Sequence, residues 1–166
     1  RVIDDYYPIK QQLFVVDIDN EEPALDEKGK PIKGKKRRID NYKTIEDAIE
    51  ICKQHGVMPF LVYETFSSKE HREDPEAPYK KFRLCFLLDT PVTVRQFGLV
   101  GMNVVTKYFI DMFGQAADGK TTDTARLIYG TDEKESIQQY EAVLDSKKIV
   151  QAAFSKQLNQ DEAEPD

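Results

Sequence analysis

Over residues 12–19, "QLFVVDID", an apolar run of Leu13 to Val16 passes into the alternation Val16, Asp17, Ile18, Asp19, a period of two. The period puts Leu13, Val15, Asp17 and Asp19 on one face and Phe14, Val16 and Ile18 on the other, which predicts a strand with the second set facing the core. "VMPFLVYETF" (57–66), rich in β-branched and aromatic residues, reads as a second strand. In "KKFRLCFLLD" (80–89), a third, Phe82, Leu84, Phe86 and Leu88 form the core face and leave Lys81, Arg83, Cys85, Leu87 and Asp89 opposite. "RLIYG" (126–130) makes a fourth short strand and "IQQYEAVL" (137–144) a possible fifth. Helical spacing appears at Ile45, Ala48, Ile49 and Cys52, behind a capping box of Thr44 and Asp47, with Gly56 as the stop. Thr93 and Gln96 open a second helix through Phe97, Val100, Val104, Val105, Tyr108, Phe109 and Met112, ending at Gly114, and "SKKIVQAAFSKQ" (146–157) forms a last one.

Residues 20–42 carry Gly, Pro and charge without an apolar period, so a long basic loop or small excursion is expected there. "SSKEHREDPEAP" (67–78) is an exposed loop for the same reason. The resulting order, β-α-β-β-α-β followed by β-α, suits an α+β domain of the ferredoxin-like or RNA-recognition-motif-like plan. An antiparallel or mixed sheet would carry its helices on one face and leave the other as an open catalytic face. One catalytic domain is expected over 1–157, with 158–166 an acidic linker or tail.

Composition changes this picture little: a chain of 166 residues, 40% hydrophobic and 33% charged, suits one ordinary globular domain. It holds no apolar run of the ~18 residues that a bilayer demands and no signal-peptide pattern, so a cytoplasmic location and no membrane partner are expected. Cys52 and Cys85 lie in apolar segments without CxxC spacing and read as small buried hydrophobes. The first residue, Arg1, and the acidic final stretch "NQDEAEPD" suggest a domain excised from a longer protein.

Charge changes it more. The net charge of −6 argues against a general nucleic-acid binder, yet Lys28, Lys30, Lys33, Lys35, Lys36, Arg37 and Arg38 crowd into one segment. Two readings stand for that run: a solvated loop, or a clamp on the phosphates of a template strand formed by Lys33, Lys35, Lys36, Arg37 and Arg38.

Carboxylates at i and i+2 of a strand lie roughly 6–7 Å apart and point the same way. Asp17 and Asp19 are therefore either a solvated strand end or a pair that a hard cation such as Mg²⁺ or Mn²⁺ neutralises. Lys81 and Arg83 fall on the same sheet face as this pair, and arginine suits bidentate phosphate recognition. "DTARLIYGTD" sets Asp123 three residues before Arg126, after a loop that also holds Asp118 and Lys120. Three carboxylates and several cations around one open sheet form the inventory of a two-metal phosphoryl-transfer site. His55 reads as a helix C-terminal residue favoured by the helix dipole, and His71, in an acidic loop, reads as solvated.

"FVVDID", then "YETFSS…KKFRLCFLLDTPVT", then "AADGKTTDTARLIYG" resemble, in order, the motifs of the archaeo-eukaryotic primase superfamily. The resemblance covers about residues 13–131 and is to the primase-polymerase domains of plasmid, phage and mobile-element replication proteins. It implies that Asp17, Asp19 and Asp123 are catalytic and bind two divalent ions. It also implies that Arg83, with Lys81 and Ser67, holds the nucleotide's triphosphate, and that Arg126 steadies the triphosphate or the third acid. Single-stranded DNA, an NTP or dNTP, and a helicase domain following in the full-length protein are the implied partners. The family's second motif commonly carries Ser-x-His, and neither histidine of this chain follows a serine at that spacing.

The function expected is a metal-dependent nucleotidyltransferase, a DNA primase/polymerase acting in replication on a single-stranded template. A non-catalytic nucleic-acid-binding or origin-recognition module would instead call for aromatic residues on the open face, where the pattern puts few. A metal-dependent nuclease needs the same carboxylates, though Lys81, Arg83 and Arg126 make better sense around a triphosphate.

Overall fold

The structure is a computed structural model, and residues 10–68, 79–120, 130–131 and 134–163 are described. Along the chain run β1 (Lys10–Ile18), β2 (Glu21–Leu25), β3 (Pro31–Arg38), α1 (Ile45–His55), β4 (Leu61–Glu64), β5 (Phe82–Thr93), α2 (Val94–Asp111), β6 (Gln138–Gln139), β7 (Val143–Leu144) and α3 (Ser146–Ala163). Short 3-10 turns occupy Gly114–Ala116 and Lys134–Ser136.

β5, the longest of these strands, is the centre of a five-stranded sheet. β1 pairs antiparallel along one edge of it, from Leu13↔Leu87 to Ile18↔Phe82. β4 pairs antiparallel along the other, from Leu61↔Cys85 to Glu64↔Phe82, and β6 lies beyond β4. β7 takes up the same edge of β5 further on, parallel, at Leu87 and Leu88. The order β1-β5-β4 is that of the first, third and second strands of the ferredoxin-like plan, so the α+β architecture read from the sequence holds. The expected fourth strand at 126–130 lies, except for Gly130, outside the described residues.

The predicted core face is the real one. Phe14, Val16, Ile18, Val62, Phe82, Leu84, Phe86 and Leu88 are buried in one cluster with residues of α1, α2 and α3. Phe109 of α2 is the keystone, its ring 4.6 Å from Phe86 and 5.4 Å from Phe14. Burial of each such side chain contributes roughly 1.5–3 kcal/mol, so this face holds most of the molecule's stability.

The helices begin where their caps predict. Thr44 Oγ1 accepts from Asp47 N at 3.1 Å and Asp47 Oδ2 accepts from Thr44 N at 2.9 Å, the complete capping box. Gly56 ends α1 with φ 64°. In α2, Thr93 caps Gln96 N, but Gly98 leaves the helix with φ 68° and ψ 174°. The break resets the helical phase, so the buried positions become Met102, Val105, Thr106, Phe109 and Ile110. Val100, expected inside, is 77% exposed.

Residues 20–42 are not a loop: β2 and β3 form a separate two-stranded antiparallel ribbon. Asp26 turns it, its Oδ1 accepting from the backbone N–H groups of Lys28 and Lys30, with Gly29 in the left-handed region at φ 76°. Cross-strand ion pairs replace the apolar alternation that would have marked the strands, as Arg37 to Glu22 at 2.6 Å illustrates. The stretch 137–144 splits into β6 and β7. α3 continues past 157 to Ala163, since no Gly or Pro interrupts it before Pro165.

Candidate functional site

The face of the sheet away from the helices changes character along its length. At one end stands an apolar row, Leu13 and Leu87 with Val143; at the other, Asp17, Arg83 and Tyr63 are aligned across β1, β5 and β4. That face is not uniformly open, because Tyr63 and Cys85 are buried there and Asp17 and Arg83 half-buried. Arg83 donates through Nε to Asp17 Oδ1 and through Nη2 to Asp17 Oδ2 at 3.3 Å, a two-pronged ion pair, and it also donates to the Tyr63 hydroxyl. Burial would lower the guanidinium's pKa, but the bonds to Asp17 and Tyr63 prevail and the net shift is upward.

Asp19 faces a different setting. Burial raises its pKa, Lys81 and Lys36 oppose that, and the nearby charges of Asp17 and Asp118 raise it further. Asp118 reaches the pair through the backbone: its N–H donates to Asp17 O at 2.9 Å, and Ile18 bridges Ala117 in antiparallel fashion. Of the two loop acids singled out by sequence, Asp118 is thus brought against β1. Asp123 and Arg126 lie outside the described residues.

Lys81 is buried and committed. Its Nζ lies 2.7 Å from Glu21 Oε1, while Lys36 reaches Glu21 Oε2 at 3.0 Å and the Tyr79 hydroxyl donates to Oε1 at 2.8 Å. Burial alone would raise the Glu21 pKa; the bonds from Lys81, Tyr79 and Lys36 outweigh it and hold it at about 2. Burial of Glu21 is affordable only because three donors meet it. The two lysines face both Glu21 and Asp19, so one carboxylate fixes the cations that lie beside the other.

Asn20 makes this convergence possible. Its backbone takes the left-handed conformation, φ 57°, which swings the chain out of β1 and into the ribbon. Its side chain is fully buried, donating to Lys43 O at 2.8 Å and Lys80 O at 2.9 Å and accepting from Lys43 N at 2.8 Å. Its own N–H donates to Ala116 O and its carbonyl accepts from Ile39 N. The side chain and backbone of this one residue tie the ends of β1, the ribbon, α1, β5 and the Gly114–Ala116 turn.

The basic run is divided by its strand. Lys36 enters the Glu21 network, Arg37 pairs with Glu22, and the Arg38 guanidinium lies 4.6 Å from the centre of the Tyr42 ring. Lys33 and Lys35 are exposed, and among the described residues no carboxylate pairs with them. Ser67 is exposed, with its Oγ 3.3 Å from Thr65 Oγ1. His55 accepts its expected role at the end of α1, with Nδ1 3.0 Å from Ile51 O. His71 lies outside the described residues. Cys52 and Cys85 are free and buried, and burial pushes their thiols up to about 12 and about 11.

Among the described residues no group of three acidic, histidine or cysteine side chains is gathered closely enough to hold a metal ion by itself. The donor set nevertheless fits a hard divalent cation, because Mg²⁺ is commonly held by one or two carboxylates with substrate phosphates supplying the remaining ligands. Asp17 and Asp19 would be those carboxylates, with Asp118 within electrostatic reach.

Sequence reading missed Glu21, Tyr63, Tyr79 and Asn20. Glu21 continues the i, i+2 series of Asp17 and Asp19, a signal hidden by ending the strand at residue 19. No helix among the described residues is long and apolar enough to cross a membrane. Comparison with protein-family models, with curated proteins and with solved structures finds no match to this chain.

Proposed function

We propose that this domain is a metal-dependent nucleotidyltransferase of the primase-polymerase type, extending or starting a strand on a single-stranded DNA template. The observation that carries it is the convergence of Asp17, Asp19 and Asp118 at one end of the sheet, with Arg83, Lys81 and Lys36 against them. Acids and cations side by side suit a triphosphate that arrives with its counter-ions. A solvated strand end would need neither.

In this reading Asp17 and Asp19 hold the divalent ions, Mg²⁺ or Mn²⁺. When bound, such ions lower the pKa of a 3′-hydroxyl and stabilise the departing pyrophosphate. Arg83, oriented by Asp17 and Tyr63, offers a planar fork to phosphate oxygens as Asp17 turns to the ion. Lys81 and Lys36 stay beside Asp19 through Glu21 and supply positive charge without having to be ordered on binding. Asp123 and Arg126 belong to this reading by resemblance, as a third acid and a phosphate-steadying cation. Lys33 and Lys35, exposed on the ribbon, track the template's phosphates.

The test is incorporation of a labelled nucleotide on a single-stranded template with Mn²⁺ or Mg²⁺, comparing the parent with Asp17→Asn plus Asp19→Asn. Incorporation by the parent and background levels in the double variant are expected. Incorporation that survives the double change overturns the metal assignment, and shortening of the labelled strand points to a nuclease.

A further inference from the structure

The sheet's charged end carries one feature that the acids and cations do not use: the aromatic ring of Phe66, 74% exposed, on the turn that follows β4. Its backbone is pinned on both sides. Thr65 N donates to Lys81 O at 2.9 Å, and Ser68 N donates to Thr65 O at 2.9 Å. The buried Ser68 hydroxyl accepts from Lys81 N at 3.1 Å and donates to Glu64 Oε2 at 3.2 Å. A tightly bonded turn therefore holds a bare phenyl ring in water, which a loose loop tip would fold inward.

Register shows where the ring stands. Ile18, Phe82 and Glu64 form one row across the sheet, so the turn after Glu64 and the acids around Asp19 leave the same end. Two strand spacings, about 10 Å, separate β1 from β4 along that row. Lys80 and Lys81 enter β5 between them; Lys80 pairs with Glu64 at 2.7 Å yet stays 44% exposed. Ser67, also exposed, adds a hydroxyl beside the ring. An exposed aromatic ring at the end of the sheet where the half-exposed Lys80 also stands matches the way single-stranded nucleic acids are held, base on ring and phosphate on cation.

We propose that Phe66 is a stacking platform for a base of the single strand, set beside the acids of β1. The inference rests on the nucleic-acid reading of the site, but base stacking needs no divalent ion, so the two are separable. A strand held here would lie at the end of the sheet from which the acids of β1 also leave.

The chain contains no tryptophan, which gives the test a clean reporter. Phe66→Trp places the sole indole at the turn, and Val100→Trp places one on the exposed flank of α2 as the control. Emission is recorded during titration with oligothymidylate, without divalent metal or triphosphate, and separately with dTTP alone. Quenching of Phe66→Trp by the oligonucleotide, with the Val100→Trp signal unmoved, is expected. Phe66→Ala and Phe66→Leu should each weaken oligonucleotide binding, read by anisotropy, by roughly 5- to 100-fold, with Phe66→Tyr retaining it. An unquenched Phe66→Trp, quenching by dTTP alone, or full binding by Phe66→Leu overturns the proposal. Quenching in a protein that incorporates no nucleotide leaves the platform standing and removes the polymerase reading; incorporation without quenching does the reverse.

Discussion

Glu21 shows what a single buried acid does in this site. Its folded pKa of about 2 lies below the ordinary value of 4.5, so its network adds stability that is fully present above pH 4.5 and is lost as pH falls toward 2. Asp19 behaves oppositely: with its folded pKa raised, protonation favours the folded state, and acid relieves it. Urea unfolding of the parent followed from pH 6 to pH 2 should show falling stability through that window. Glu21→Gln should be less stable at neutral pH and should lose stability more shallowly on acidification; parallel curves would mean that the network contributes nothing. Asn20 matters at the same scale for geometry, since its left-handed backbone and its amide bonds are needed together. Glycine would supply only the first of these.

At the scale of elements, the two early helices differ in how they are fixed. α1 is set by local chemistry, its box at Thr44 and Asp47 and its Gly56 stop all lying within the segment. Thr44→Ala should therefore cost about 1 kcal/mol and lower the melting temperature by roughly 2–4 °C without touching the sheet, as calorimetry would show. α2 is different, because the Gly98 break shifts which positions face the core, and a helical period counted from Thr93 cannot reveal it. The ribbon of β2 and β3 is different again. Its strands bury little, so no alternation announces them, and they are held by ion pairs such as Glu22 with Arg37 and by the tie of Glu21 to Lys81 beside β5.

At the scale of the whole molecule, a chain of net charge −6 brings Asp17, Asp19 and Asp118 together with Arg83, Lys81 and Lys36 at one end of one sheet. The charges of Asp17 and Asp118 add to the raised pKa of Asp19, and a divalent ion held there would relieve that repulsion, so on the proposed function its binding should stabilise the fold by mass action. Saturating Mn²⁺ should raise the parent's melting temperature by ~5 °C, and Asp17→Asn plus Asp19→Asn should abolish the rise. An equal rise in both proteins would put the ion elsewhere.

Much of the fold was legible along the chain. The alternation at Phe14, Val16 and Ile18, and at Phe82, Leu84, Phe86 and Leu88, selects the core face, because a strand's side chains have no other periodicity to obey. The capping residues of both helices are equally local, and so is the order of elements that implies an α+β sheet. The identity of the acids' partners was not local. Asp17 meets Arg83 and Tyr63 only because β1, β5 and β4 pair in one register. Asp118, Glu21, Lys36 and Lys81 gather around Asp19 only because Asn20 turns the chain and joins five segments. Period and propensity act over a few residues, whereas a charge finds its counter-charge through space; the sequence alone therefore determined the central strands β1, β4 and β5, the caps and the core face, and the tertiary structure decided the charged ribbon and which charges meet.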